Sequence, residues 1–106
     1  MLQGMVIRGT TPKHDFDLPY PLETVKDLRI TYGQGKKIVF VKDINDCTVT
    51  EGKITLYLTQ EETLSFIPNK RLYIEVRIQL IDNQIVQAEE PMALRVVDTM
   101  NEEVIN

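Results

Sequence analysis

Apolar and polar residues alternate along most of the chain, and the segment from Leu72 to Leu80 shows the pattern most clearly. Every second residue of this segment is aliphatic, and the residues between them are tyrosine, glutamate, arginine and glutamine. Because successive side chains of a β-strand point to opposite faces, all the aliphatic side chains of this segment lie on one face. We therefore predict a central strand with one buried face and one face towards solvent.

The same two-residue period predicts the other strands, which are short and separated by turn-forming residues. They cover residues 5–8, 14–18, 27–32, 37–42, 46–49, 53–59, 84–88 and 92–98. Glycine, aspartate and asparagine, which adopt turn conformations readily, lie in the predicted turns at 33–36, 51–52 and 82–83. Pro91 has no amide hydrogen, so it marks the start of the last strand or a switch between sheets.

One segment in the middle of the chain has helical rather than extended character. Thr59 is followed three residues later by Glu62, which is the pattern of a capping box at the start of a helix. We predict a short helical crossover near residues 60–65 that connects one sheet to the other. Leu64 and Phe66 can then contribute to the core.

Short strands with turn signals every 8–12 residues are typical of a β-sandwich or a β-barrel. The prolines and the helical crossover interrupt a simple meander, so a sandwich is the preferred interpretation. We predict an all-β, antiparallel sandwich of about eight short strands in a single domain spanning residues 1–98. Residues 99–106 form an acidic C-terminal tail that is expected to fray in isolation.

Composition and charge argue against nucleic acid and membranes as partners. The formal net charge is −4, and the basic clusters at 36–37 and 70–71 lie in predicted turns, so we expect no nucleic-acid binding. No segment approaches the roughly 20 consecutive apolar residues of a membrane span, and the N-terminus does not have the pattern of a secretory leader. We therefore expect synthesis in a cytoplasm and no membrane partner.

The residues that could support nucleophilic catalysis or metal binding are few. Cys47 is the single cysteine and His14 the single histidine. His14 shares its strand parity with Phe16 and Leu18, which favours a partly buried histidine over a catalytic base. One histidine and one cysteine without paired ligand spacing do not indicate a metal site, so no cofactor is expected.

Two pairs of acidic residues could resemble the carboxylate pairs of glycosidases. Asp15 and Asp17 lie on the same face of one predicted strand, and Glu61 and Glu62 are neighbours at the helical crossover. The chain has no tryptophan to form a sugar platform, and solvated carboxylates are far commoner than catalytic ones. We therefore expect no catalytic residue in this protein.

Three apolar residues have the outward parity of their strands and are candidates for a protein-interaction face. They are Tyr57, Tyr73 and Ile81. The alternatives are ordinary cross-strand packing on a solvated surface and an apolar patch for a partner protein.

The segments 7–19, 25–32 and 58–64 resemble small proteins encoded in the tail and structural regions of phages and prophages of gut Firmicutes. Those proteins are similar in turn to the immunoglobulin-like N-terminal domain of phage baseplate upper proteins, in which a strand, a bend and a second strand follow one another. Residues 8–11 match the bend loosely. Because this motif is structural, the resemblance assigns no functional residue.

The resemblance implies an immunoglobulin-like sandwich that serves as a non-enzymatic structural or adaptor module of a virion. The implied partners are other phage tail or baseplate proteins, and a homo-oligomer is also compatible with it. The alternative interpretation is an immunoglobulin-like module of a cell surface, or one that binds carbohydrate.

Overall fold

The structure is a computed structural model that describes residues 4–87 and 92–106, and it consists of two packed β-sheets. The described residues form β1 (Met5–Ile7), β2 (Lys13–Asp17), β3 (Val25–Gln34), β4 (Lys37–Asp43), β5 (Thr48–Thr50), β6 (Lys53–Tyr57), α1 (Gln60–Leu64), β7 (Leu72–Leu80), β8 (Ile85–Gln87) and β9 (Met92–Val97). Short 3₁₀ turns at Leu22–Thr24 and Ile44–Asp46 precede β3 and β5. Pro91, with its predicted role at a strand start, lies outside the described residues.

The order of the strands is that of an immunoglobulin-type sandwich. The larger sheet runs β1-β9-β7-β3-β4, with β8 also paired to β7, and the smaller sheet runs β2-β6-β5. If β2 is counted as strand B, the smaller sheet holds strands B, E and D, and the larger sheet holds strands G, F, C and C′. The predicted all-β sandwich with a helical crossover is confirmed.

One strand pair differs from the antiparallel arrangement that was expected. β1 runs parallel to β9, with Met5 opposite Arg95 and Ile7 opposite Val97, whereas every other pair formed by the described strands is antiparallel. A tight hairpin requires antiparallel strands, but β1 and β9 are far apart in the sequence and carry no such constraint. The alternation of residue types contains no information on strand direction.

The core lies between the two sheets and is built from the inward residues of both. Its most deeply buried side chains come from β1, β3, β6, β7 and β9 and from the segments that follow β6 and α1. In β7 the prediction is confirmed, because the side chains of Leu72, Ile74, Val76 and Ile78 are all buried. Leu80 is only half-buried because it lies at the end of the strand, opposite Val25.

The hairpin between β3 and β4 is tighter than the predicted link over residues 33–36. Both strands continue into this segment, which leaves a two-residue turn at Gly35 and Lys36. Of the two glycines, only Gly35 has a positive φ, at 62°. Gly33 lies inside β3, where a Cβ atom would be 3.1 Å from the carbonyl oxygen of Lys37. The register shifts beside Gly33, and Val39 in β4 is left without an opposite residue as a β-bulge.

The helical crossover forms at α1 with the predicted capping box. The Thr59 hydroxyl accepts a hydrogen bond from the Glu62 amide, and the Glu62 carboxylate accepts one from the Thr59 amide. Phe66, which follows the helix, is buried in the core, whereas Leu64 is only half-buried. Thr63 was not predicted as a core residue, yet it is fully buried, and its hydroxyl donates a 2.9 Å hydrogen bond to the carbonyl of Thr10.

The C-terminal tail is held against the domain, contrary to the expectation that it frays. The guanidinium of Arg8 donates to the carboxylates of Asp98 and Glu102 at 2.5 and 2.9 Å. The Gln60 side chain donates to the carbonyl of Ile105 at 2.7 Å and accepts from its amide at 2.9 Å. These contacts join residues distant in sequence, so the composition of the tail does not reveal them.

Candidate interaction surface

The three residues of the predicted interaction face are exposed but do not form one surface. Tyr57 is 63% exposed on β6 of the smaller sheet. Tyr73 lies in β7 of the larger sheet, and Ile81 directly follows that strand. The outer faces of the two sheets of a sandwich point in opposite directions. Tyr73 and Ile81 are in turn eight residues apart along the strand, which corresponds to about 26 Å. The prediction of a shared face is therefore wrong in its geometry, because strand parity does not identify the sheet.

The larger sheet has a different apolar surface on its outer face, at the end where β3 and β4 join. Four adjacent strands each contribute one residue to a row across this face, which consists of Ile38, Gly33, Tyr73 and Ala93. Because Gly33 has no side chain, a shallow depression of about 410 Å³ opens between Ile38 and Tyr73. Its rim carries charged side chains, including Lys36 and Glu75, as is common around protein contact sites.

This apolar surface continues along the edge strand β4, which is paired with β3 on one side only among the described strands. The side chains of Ile38 and Val41 point to the outer face and are 67% and 45% exposed. Val39 and Phe40 lie between them and pack against the core. We call residues 36–43 the β4 edge. A run of four apolar residues in a strand of this length indicates that both of its faces are apolar, which is the sequence signal that could have identified it.

The inner side of β4 is closed by an aromatic cluster and an ion pair. The ring of Phe40 lies 4.8 Å from that of Tyr32 and 5.5 Å from that of Phe66, measured between centroids. The Lys42 ammonium lies over the Phe40 ring and pairs with Glu62 of α1. Burial alone would raise the pKa of Glu62, but the ion pair and the hydrogen bonds of the helix cap lower it. The charge of Lys42 is therefore neutralised within the domain.

The two ends of the β4 edge carry opposite charge. Lys36 and Lys37 are exposed at its start, and neither forms an ion pair within the described residues. Asp43 and Asp46 lie at the other end, where their carboxylates accept backbone hydrogen bonds from Asn45 and Asp43 respectively. The strand is therefore electrostatically polar along its length.

His14 links the two sheets inside the core. Its Nδ1 atom lies 2.7 Å from the hydroxyl oxygen of Tyr32, and its ring stacks on that of Tyr32 at 5.8 Å. Burial lowers the pKa of His14 and raises that of Tyr32. Both groups are thus neutral at physiological pH and satisfy each other. The predicted burial of His14 on the face shared with Phe16 and Leu18 is confirmed.

Cys47 is half-buried directly before β5, at the end of the 3₁₀ turn, rather than within the predicted strand. Its thiol donates a hydrogen bond to the carbonyl of Asp43 at 3.3 Å. Burial, together with the nearby carboxylates of Asp46 and Asp43, raises the pKa of Cys47 to about 11. The thiolate, which is the nucleophilic form, is therefore scarce at neutral pH.

Asp15 and Asp17 lie on the outer face of the smaller sheet. Asp15 accepts a 2.6 Å hydrogen bond from the hydroxyl of Thr55, and this bond lowers the pKa of its carboxyl group. A general acid in a glycosidase requires a raised pKa, so the environment of Asp15 shifts it in the opposite direction. The other pair of acidic residues, Glu61 and Glu62, lies in the first turn of α1, where Glu62 caps the helix.

Among the described residues, no group of three or more histidine, cysteine, aspartate or glutamate side chains is placed to hold a metal ion. A search of the same part of the chain found no helix with the length and apolar character needed to cross a membrane. In comparisons with known proteins, no family model, curated protein or solved structure gives a significant match to this chain.

Proposed function

We propose that this chain is a non-enzymatic protein-interaction module of a phage or prophage particle, used in its tail or baseplate region. The observation that carries the interaction function is the β4 edge, where two apolar side chains, those of Ile38 and Val41, are exposed beside the depression at Gly33 and Tyr73. A contiguous apolar surface with a charged rim is typical of a protein contact site.

The assignment to a phage particle is supported by the resemblance of residues 7–19 to phage tail-region proteins. In this segment β1 ends at Ile7, the chain bends at Gly9 with a φ of 84°, and β2 begins at Lys13. This is the strand, bend and strand order of the immunoglobulin-like domain of baseplate upper proteins. The sandwich is thus a reasonable building block of a particle, with other tail or baseplate proteins as partners.

The states of the reactive side chains support a non-enzymatic role. His14 is neutral and bonded to Tyr32, the thiol of Cys47 is protonated, and Asp15 is held as a carboxylate by Thr55. Each of these groups has a hydrogen-bond partner within the domain, as is expected of side chains that stabilise the fold.

The proposal is tested by asking whether the protein is a component of particles. A bacterial host carrying the gene is induced, particles are purified on a density gradient, and the protein is quantified by mass spectrometry. We expect it to co-sediment with tail proteins at a constant stoichiometry. If it is abundant in the lysate but absent from intact particles, the phage assignment is wrong. Specific binding on a glycan array would instead support the carbohydrate-binding alternative.

A further inference from the structure

We propose that the β4 edge binds a second copy of this chain, with the two β4 strands paired antiparallel about a two-fold axis. This inference rests on the proposed function, since it names the partner of the surface described above. The pairing would join the two larger sheets into one continuous sheet across the contact.

The order of inward and outward side chains on β4 is the main argument for a second copy. In a regular strand the two directions alternate, but the bulge at Val39 gives β4 the order out, in, in, out over Ile38, Val39, Phe40 and Val41. A partner strand whose side chains stay on the matching faces needs the same irregular order. A second β4 has that order by definition.

One antiparallel register satisfies the faces of both strands. Val39 of each copy lies opposite Phe40 of the other on the inner face, and Ile38 lies opposite Val41 on the outer face. The two exposed apolar side chains of each copy are thereby covered by those of the other, which supplies the hydrophobic contribution to association.

Charge favours the antiparallel direction over the parallel one. In this register Lys36 of each copy lies opposite Asp43 of the other, so the basic start of one strand faces the acidic end of its partner. Lys37 faces Lys42, whose charge is already paired with Glu62. A parallel arrangement would place Lys36 beside Lys36 and Asp43 beside Asp43, which repel.

The edge carries little protection against such pairing. Edge strands are commonly guarded by proline, by outward-pointing charges or by a covering loop. Residues 37–43 contain no proline, and the charge of Lys42 is turned inward to Glu62. The outer-face positions between the charged ends are apolar.

Sedimentation velocity of the full chain, from low micromolar to near-millimolar concentration, tests the inference with two matched double variants. Ile38→Lys with Val41→Lys places like charges opposite each other in the proposed register. Ile38→Lys with Val41→Glu places opposite charges there. Both substituted positions are exposed, and thermal unfolding followed by circular dichroism verifies that both variants fold.

We expect the natural chain to form a dimer and the double-lysine variant to associate at least about tenfold more weakly. The lysine–glutamate variant should regain association, and its dimer should weaken as salt is added because it depends on exposed charges. A natural chain that stays monomeric throughout the range overturns the inference. A double-lysine variant that dimerises as well as the natural chain also overturns it. So does a lysine–glutamate variant that associates no more strongly than the double-lysine variant.

Failure here is distinguishable from failure of the proposed function. A monomer that still co-sediments with purified particles removes the self-pairing and leaves the particle role intact. A dimer that is missing from purified particles leaves the self-pairing intact and removes the particle role.

Discussion

β7 and β4 belong to the same sheet and are both rich in β-branched and aromatic residues, yet their surroundings differ. β7 has paired strands on both sides, and its alternate side chains are buried in the core. Among the strands that the structure describes, β4 is paired on one side only, and its apolar residues are divided between the core and solvent. The comparison shows that β-propensity favours a strand in both cases, whereas the strand's position in the sheet decides whether its apolar residues stabilise the fold or remain available for contact.

The largest expected effect is the difference in stability between truncating a buried isoleucine of β7 and truncating an exposed isoleucine of β4. Ile74→Ala in β7 should lower the free energy of unfolding by about 2–5 kcal/mol, because it leaves a cavity in the core. Ile38→Ala in β4 should change it by less than about 0.5 kcal/mol, since that side chain is already exposed. Urea unfolding of dilute protein measures both values. Equal losses would show that β4 contributes to the fold as β7 does.

A smaller effect is expected where the inward face of β3 meets β2. Tyr32→Phe should lower the free energy of unfolding by about 1–3 kcal/mol, because it leaves the buried Nδ1 of His14 without a partner. Tyr73→Phe on the outer face of β7 is the matched control and should have almost no effect. The prediction fails if the two variants unfold at the same urea concentration.

The same pair predicts a dependence of stability on pH. Burial lowers the pKa of His14 in the folded state, so the unfolded chain binds this proton more readily than the folded chain. Stability should therefore fall as the pH drops below the unfolded pKa of about 6.5, and level off below the folded pKa. Urea unfolding between neutral pH and the range where carboxylates titrate measures this slope. A His14→Gln variant should lack it, and an unchanged slope in that variant would assign it to another group.

The smallest effect is a difference in local opening. We expect the backbone amides of β7 to exchange hydrogen slowly at residues 72–74 and 77–79, where the strand is paired on both sides. In β4, those amides that point away from β3 should exchange much faster in dilute protein. Hydrogen exchange followed by NMR separates them, and raising the protein concentration should slow these amides if β4 pairs with itself. Uniform protection of β4 at high dilution would contradict its position as a free edge.

Sequence alone accounts for much of this fold. The alternation around Ile74 identifies a core strand, and the spacing of Thr59 and Glu62 identifies the helix cap, because both depend on neighbours in the chain. Alternation also places His14 on the buried face. These features follow from local geometry, which residue order records directly.

The candidate surface could be predicted only in part, because it depends on contacts between distant segments. Parity shows that Tyr57 and Tyr73 are exposed, but the sheet to which each belongs is set by pairing across the whole chain. The bulge at Val39 interrupts the alternation of inward and outward side chains in β4. Simple alternation from Phe40 would therefore assign Ile38 to the inner face, whereas it lies on the outer face. The tail contacts of Arg8 span 90 and 94 residues and have no local signal at all.

The parallel pairing of β1 and β9 has a mechanical consequence. With these strands side by side and pointing the same way, the start of β1 and the end of β9 lie at opposite ends of the pair. A force that pulls these two points apart acts along the strands, so the hydrogen bonds between them must rupture together rather than one after another. If other segments of a larger assembly are attached at these points, the sandwich would resist tension through its own backbone, as stretching of single molecules would reveal.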